Sequence, residues 1–217
     1  VTEALNLLPQ WLVKLGFHLL YNQMAWTYDA VAWTVSFGQW AAWRKLSLQF
    51  VRPGPILELA YGTGGLFAHM QSAGYRPVGI DLSPYMAALA RRRLRRHQLS
   101  QPLSRAKAQQ LPFPSDYFAN AVATFPTNYI FEDETLAEVW RVLAPGGRLI
   151  IVTEGQLRGP WPLRPFIDWL YAITGQHNFP QLNPLPQFEN HNFVARWATA
   201  EHQGAQARLL IAKKPVR

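Results

Sequence analysis

Between Ile56 and Asp81 the sequence holds residues suited to gripping a nucleoside. The run Ile56-Leu57-Glu58-Leu59-Ala60-Tyr61-Gly62-Thr63-Gly64-Gly65 reads as a short apolar strand that empties into a glycine loop. Glycines at the carboxyl end of a first strand let backbone N–H groups approach a ligand closely, where open α/β sheets bind cofactors. Nineteen residues beyond Gly62, Asp81 closes a second strand-like run, Pro77–Ile80. A carboxylate there can accept both hydroxyls of a ribose, and folding alone asks for no acid at that place. A third glycine at position 67 would complete a dinucleotide fingerprint, but that residue is Phe67. A nicotinamide dehydrogenase is therefore disfavoured.

These residues need a scaffold, and from Pro53 onward strands and helices alternate. Helix Leu66–Ser72 follows the glycine loop, and Ser83-Pro84 starts a second helix with a capping hydroxyl and a first-turn proline. Strands are expected at Leu103–Ala106 and Ala119–Thr124. A helix at Asp133–Val142 is closed by Pro145-Gly146-Gly147, and the strand Arg148–Thr153 follows. The rhythm predicts a parallel sheet covered by helices. Beyond it comes an irregular insert, residues 155–192, with one expected helix at Phe166–Thr174. The runs Phe193–Ala198 and Ala207–Ala212 lie close enough to form an antiparallel pair.

The first 43 residues differ in composition. They carry five of the nine tryptophans and only three charges, Glu3, Lys14 and Asp29. Trp26, Trp33 and Trp40 recur every seven residues, one stripe of a helix. This divides the chain into an N-terminal helical lid segment, 1–50, and a main domain, 51–217. The lid either buries its aromatic face on the core or covers an apolar pocket.

Charge and cysteine content bound the rest. The net charge of +8 falls to +3 without the five arginines of Arg91-Arg92-Arg93-Leu94-Arg95-Arg96, so it is local. On an amphipathic helix such a run is a solvated face, which disfavours nucleic acid as the substrate. With the tryptophans, it leaves contact with an anionic membrane surface open. No run of about 18 apolar residues appears, and the first residues lack the pattern of a secretory leader. Zero cysteines exclude a disulfide framework, a thiolate metal site and a cysteine nucleophile. The expected location is cytoplasmic, with a membrane-peripheral position as the alternative, and nothing calls for a metal.

The segment Glu58-x-Ala60-x-Gly62-x-Gly64 resembles motif I of the class I S-adenosylmethionine-dependent methyltransferases. Further along, Val78-Gly79-Ile80-Asp81-Leu82-Ser83 and Leu111-Pro112-Phe113 with Tyr117-Phe118 resemble the family's later motifs. So do Arg141-Val142-Leu143-Ala144-Pro145-Gly146-Gly147-Arg148-Leu149 and the closing run Leu209–Lys214. The branch most resembled is that of the quinone and small-molecule methylases, with Tyr28-Asp29 matching its N-terminal helices. The resemblance implies a Rossmann-like, seven-stranded, mostly parallel sheet with an antiparallel last strand, helices on both faces and a helical lid. It also implies S-adenosylmethionine as methyl donor, with S-adenosylhomocysteine as product. Glu58, Ala60, Tyr61, Gly62, Gly64 and Tyr28 would receive the methionine portion, and Asp81 the ribose. Leu82, Ala108 and Gln109 would border the adenine, and Thr124 would lie at the methyl-donor rim.

Four departures bear on activity. Ala60 stands at the first motif glycine, and Tyr61 places a ring in the loop, against the cofactor or the substrate. Lys107 occupies the position of the acid that accepts from the adenine amino group, and lysine only donates. Ala119-Asn120 replaces a further aspartate of the family. Weak cofactor binding is thus expected, with Gln109 or Gln110 as substitute acceptors, and a non-catalytic partner subunit is the rival reading. No residue announces itself as a general base. Tyr129, after the fourth strand, is the candidate for acceptor contact, against a role in packing beneath the lid. Aromatic residues of the lid and insert point to a hydrophobic or aromatic small-molecule acceptor, such as a quinone, phenol or lipid.

Overall fold

The computed structural model describes residues 28–36, 38–156 and 183–216. Trp26 and the expected helix Phe166–Thr174 lie outside them. Helices α1 (Tyr28–Ser36) and α2 (Trp40–Lys45) lead through a 3-10 turn (Leu46–Phe50) into β1 (Ile56–Leu59) and α3 (Gly65–Ser72). Next come β2 (Pro77–Asp81), α4 (Pro84–Arg96), β3 (Leu103–Arg105), β4 (Phe118–Thr124) and a second 3-10 turn (Asn128–Phe131). The chain finishes with α5 (Asp133–Val142), β5 (Leu143–Gln156), α6 (Leu185–Asn190), β6 (Val194–His202) and β7 (Ala205–Lys213).

The seven strands form one sheet in the order β3-β2-β1-β4-β5-β7-β6. Strands β1 to β5 pair in parallel, and β7 runs antiparallel between β5 and β6. Strand order reverses between β1 and β4, where Leu59 sits beside Ile80 on one side and Ala123 on the other. A crevice at the carboxyl ends of such neighbours is the usual ligand site of an open α/β sheet.

Both faces of the sheet are covered, which is why the central strands are apolar at consecutive positions. Leu57, Ala121, Leu149 and Ile151 face one core, with Leu136 and Val139 of α5 and Phe188 of α6. Ile56, Val122, Ile150 and Val152 face the other, with Trp43, Leu46, Leu66 and Met70. A third cluster lies under α4, built on Tyr61, Phe67, Ala90, Leu94 and Leu103.

The N-terminal stripe is not continuous. Gly38 takes φ +78 and separates α1 from α2, so Trp33 and Trp40 no longer share a helix. Trp33 is 65% exposed, whereas Trp43 is buried in the second core cluster. Trp43 packs where a Cβ on Gly155 of β5 would overlap its ring. Residues 40–50 are therefore built into the core of the main domain rather than set apart from it. Strand β5 also differs from expectation. It begins at Leu143, paired with Phe118, and crosses an irregularity before regular pairing resumes at Arg148. Gly146 supplies the left-handed turn inside that irregularity, with φ +75. The strand continues to Gln156, so the first two residues of the expected insert belong to the sheet.

Candidate cofactor and acceptor site

The loop after β1 is wound by left-handed residues. Ala60, Gly62 and Gly64 have φ of +53, +54 and +74. Ala60 holds this conformation despite its Cβ, which carries a penalty of about 1–2 kcal/mol relative to glycine's freedom. A Cβ on Gly62 would meet nothing within 4 Å, so the loop is open there. Gly64 is needed for a different reason. A Cβ there would lie 2.9 Å from Ala90 Cβ and 3.2 Å from Ala90 Cα, so the glycine lets α3 and α4 approach.

Asp81 fastens this loop to β2. Its Oδ2 accepts from the Gly62 N–H at 2.8 Å, and its Oδ1 accepts from the Ser83 N–H at 2.8 Å. The carboxylate therefore has a folding role, contrary to the sequence-based expectation that folding asks for no acid there. Each oxygen keeps a lone pair for a further donor. Burial pushes the Asp81 pKa up, outweighing the N–H bonds from Ser83, Gly62 and Leu82 that pull it down.

Glu58, at the third position of β1, is only 2% exposed, and its Oε2 has no hydrogen-bond partner. Burial raises its pKa to about 8. The Arg44 charge works against this, and Asp81 works with it. A buried carboxyl with an unused oxygen, beside an open loop, is suited to a cationic donor such as an amino group.

Tyr61 is placed differently from expectation. Its ring is 2% exposed and packs edge-on against Phe67, over Gly79, where any Cβ would lie 2.8 Å from Tyr61 Cδ1. The ring belongs to the core, and only the Tyr61 backbone faces the loop. Burial raises the phenol's pKa to about 12, so it stays neutral.

On the side expected for adenine, Leu82 is exposed and Ala108 buried. The Lys107 side chain is exposed, and Gln109 is half-buried with its Nε2 donating to Glu132 Oε2. That bond leaves the Gln109 amide oxygen as an available acceptor. The other departure from the family pattern has a packing cause. Ala119 must be small because Gly54 leans on it, and a Cβ on Gly54 would lie 2.6 Å from Ala119 Cβ. Asn120 accepts from the Arg52 N–H at 2.9 Å and donates to the Arg52 carbonyl at 2.8 Å. Both residues sit at the amino end of β4, beside Ile56, at the opposite end of the strands from the glycine loop.

The arginine run divides. Arg91, Arg92, Arg95 and Arg96 are exposed, as expected. Arg93 instead reaches the glycine loop, donating to the Thr63 carbonyl at 2.6 Å and to Thr63 Oγ1 at 2.9 Å. Its place three residues after buried Ala90 was the available signal for this inward turn.

Beyond β4 the wall is aromatic. Thr124 ends the strand, next in register to Ala60, and is half-buried. Phe125 follows with φ +49 and stacks on Trp40, ring centroids 4.0 Å apart, while Trp43 meets it edge-on at 6.3 Å. Trp40 and Phe125 are only partly buried. Tyr129 lies on the 3-10 turn after β4, half-buried against the first core cluster. Tyr28 opens α1, and its side chain lies outside the described part. His191 pairs with Asp133 at 2.9 Å, away from the loop. Among the described residues no group of acids and histidines is arranged for a metal, and no helix is long and apolar enough to cross a membrane.

Sequence and structure comparisons agree with this architecture. A model of the methyltransferase domain matches residues 56–147. The demethylmenaquinone methyltransferase of Thermus thermophilus is 33% identical over 172 residues, covering 76% of each chain. The chain belongs to the class I methyltransferases, in the quinone-methylase-like branch. It is an S-adenosylmethionine-dependent methyltransferase by that membership. The ubiquinone/menaquinone biosynthesis C-methyltransferase of Bordetella parapertussis is 34% identical over 159 residues, 69% of this chain and 60% of its own. Among solved structures, an S-adenosylmethionine-dependent methyltransferase from Thermotoga maritima has a TM-score of 0.61 at 16% identity, covering 91% of this chain and 99% of that one. A [4+2]-cyclase, SpnF, has a TM-score of 0.58 at 18% identity, covering 82% of each chain. Those two likenesses show the fold.

Proposed function

We propose that this methyltransferase alkylates a reduced, quinone-type ring or a similarly hydrophobic aromatic acceptor. The observation that carries the acceptor class is the partly buried Trp40–Phe125 stack at the end of β4, one strand away from the glycine loop. Such a surface suits a flat, apolar ring and offers no charge to a polar substrate. The relationship to demethylmenaquinone and ubiquinone/menaquinone methyltransferases supports the same reading.

S-adenosylmethionine supplies a methyl already activated on a sulfonium, so displacement needs alignment more than acid–base power. Asp81, with both oxygens holding backbone, is placed to accept the ribose hydroxyls. Glu58 is placed for the methionine ammonium, and the open backbone of Ala60, Tyr61 and Gly62 for the methionine chain. Leu82, Ala108 and the Gln109 amide oxygen would border the adenine. Gln109 thereby replaces the acceptor that Lys107 lacks. Thr124 and Tyr129 stand at the rim, where Tyr129 touches the acceptor and Trp40 and Phe125 exclude water.

The test is transfer of labelled methyl from S-adenosylmethionine to reduced naphthoquinones and benzoquinones bearing a polyprenyl tail. Label is expected in the organic extract, and Tyr129→Phe should lower kcat while leaving S-adenosylhomocysteine affinity unchanged. Cofactor binding without transfer to any such acceptor would overturn the acceptor class. No cofactor binding by a folded sample would favour a non-catalytic partner subunit.

A further inference from the structure

The N-terminal helices bring a cation to the glycine loop as well as an aromatic wall. Arg44 follows Trp43 on α2, and the buried tryptophan fixes where that arginine starts. The Arg44 guanidinium lies against Gly65. A Cβ on that glycine would stand 2.7 Å from one terminal nitrogen, 3.2 Å from the other and 3.3 Å from Cζ. The absence of a side chain at position 65 is thus what seats the arginine.

Gly65 is the first residue of α3, an eight-residue helix whose N-cap is Gly64 and whose N-terminus receives no side-chain cap. The guanidinium thus lies beside the first turn of this helix, at the positive end of its dipole. A buried carboxyl group lies close behind. Glu58 is buried, feels the Arg44 charge, and has an oxygen without a partner. One loop therefore presents a doubly positive spot, the guanidinium and the helix end, beside a carboxyl. An ammonium brought there would ionise the carboxyl, so the spot complements both polar groups of an amino acid.

We propose that Arg44 binds the α-carboxylate of the methionine portion, so that the N-terminal helices complete the cofactor site. This rests on the reading of the glycine loop as the S-adenosylmethionine site and deepens it. A guanidinium grips a carboxylate through two parallel N–H bonds, and a charged bond of this kind is worth roughly ten- to a hundredfold in affinity. The same contact makes cofactor binding and the seating of Trp43 and Trp40 mutually supporting. The residue that anchors the donor stands on the helix that walls the acceptor.

The experiment is calorimetric titration with S-adenosylmethionine and with its decarboxylated form, which lacks only that carboxylate. Wild type should prefer S-adenosylmethionine. Arg44→Met should bind it about tenfold or more weakly and bind the decarboxylated form as wild type does. Arg44→Lys should recover part of the preference, since it restores the charge without the fork. Gly65→Ala, which keeps the arginine but crowds its seat, should show a smaller loss confined to the carboxylated ligand. An equal loss on both ligands, or on neither, would overturn the assignment of Arg44. Wild type binding neither ligand would instead overturn the reading of the loop, and the assignment with it.

Discussion

The two edges of the sheet bury polar groups in opposite ways. At the amino ends of β4 and β5, Asn120 is locked to the Arg52 backbone through both its side-chain atoms. Nearby, the Lys214 ammonium donates to Asp116 Oδ1 at 2.6 Å and to the carbonyls of Trp140 and Leu143 at 2.9 and 2.7 Å. Those groups are satisfied by the protein itself. At the carboxyl ends, Glu58 is buried with an idle oxygen, Ala60 sits in a glycine conformation, and Asp81 is held in place with lone pairs to spare. Folding alone accounts for the first edge. The second carries strain and an unpartnered oxygen that folding alone does not account for.

The largest expected separation between the edges is in pH dependence. Glu58 titrates near 4.5 when unfolded and near 8 when folded, so the folded protein holds that proton more tightly. Its stabilising effect is full below about pH 4.5 and is lost as pH rises through about 8, a difference on the order of 5 kcal/mol. Urea titrations across that range should show the fall in wild type and a flatter curve in Glu58→Gln. In Asn120→Ala, a change at the other edge, the slope should remain.

Glycine replacements come next. Gly64→Ala combines a left-handed strain with a clash against the Ala90 backbone, and should lose about 3 kcal/mol. Gly74, at φ +86 with nothing near a Cβ, should lose only about 1 kcal/mol as alanine. Equal losses in chemical denaturation would mean that α3 and α4 do not pack as closely as described.

Asp81→Ala and Asn120→Ala each strip two backbone contacts, and each should destabilise by about 2 kcal/mol. They should part on binding: Asp81→Ala loses S-adenosylhomocysteine affinity, while Asn120→Ala keeps it within about twofold. Loss in both would erase the distinction between the edges. The smallest effect is a gain. Ala60→Gly removes the strained methyl and should stabilise by about 0.5–1 kcal/mol after the entropy of the unfolded chain is counted. Thermal melts resolve that difference.

Much of the frame was legible because it depends on local periodicity. The strands at Ile56, Pro77 and Phe118 and the helix Asp133–Val142 follow from apolar runs, a capping serine and turn residues. The ligand edge was legible for the same reason, since glycines and an acid at strand ends are marks in the chain itself. What escaped were reaches across the sequence. Asp81 to Gly62 and Arg93 to Thr63 each join two elements, and Arg44 over Gly65 joins three stretches once Trp43 is included. The tryptophan stripe misled because a seven-residue spacing says nothing of the backbone between its members. Gly38 turns the chain there, leaving Trp33 in solvent. Lys107 and Ala119 read alike as departures from the family, yet one lies on the side proposed for adenine and the other at the far edge, facing Gly54.

The seat of Trp43 has a consequence for the order in which the molecule is assembled. Its neighbours in the core include Val152 of β5 and Ala207 and Leu209 of β7, and Gly155 makes the space its ring fills. On a ribosome those residues emerge long after α2 does. Helix α2 must wait, with Trp43 uncovered, until β7 has been threaded between β5 and β6.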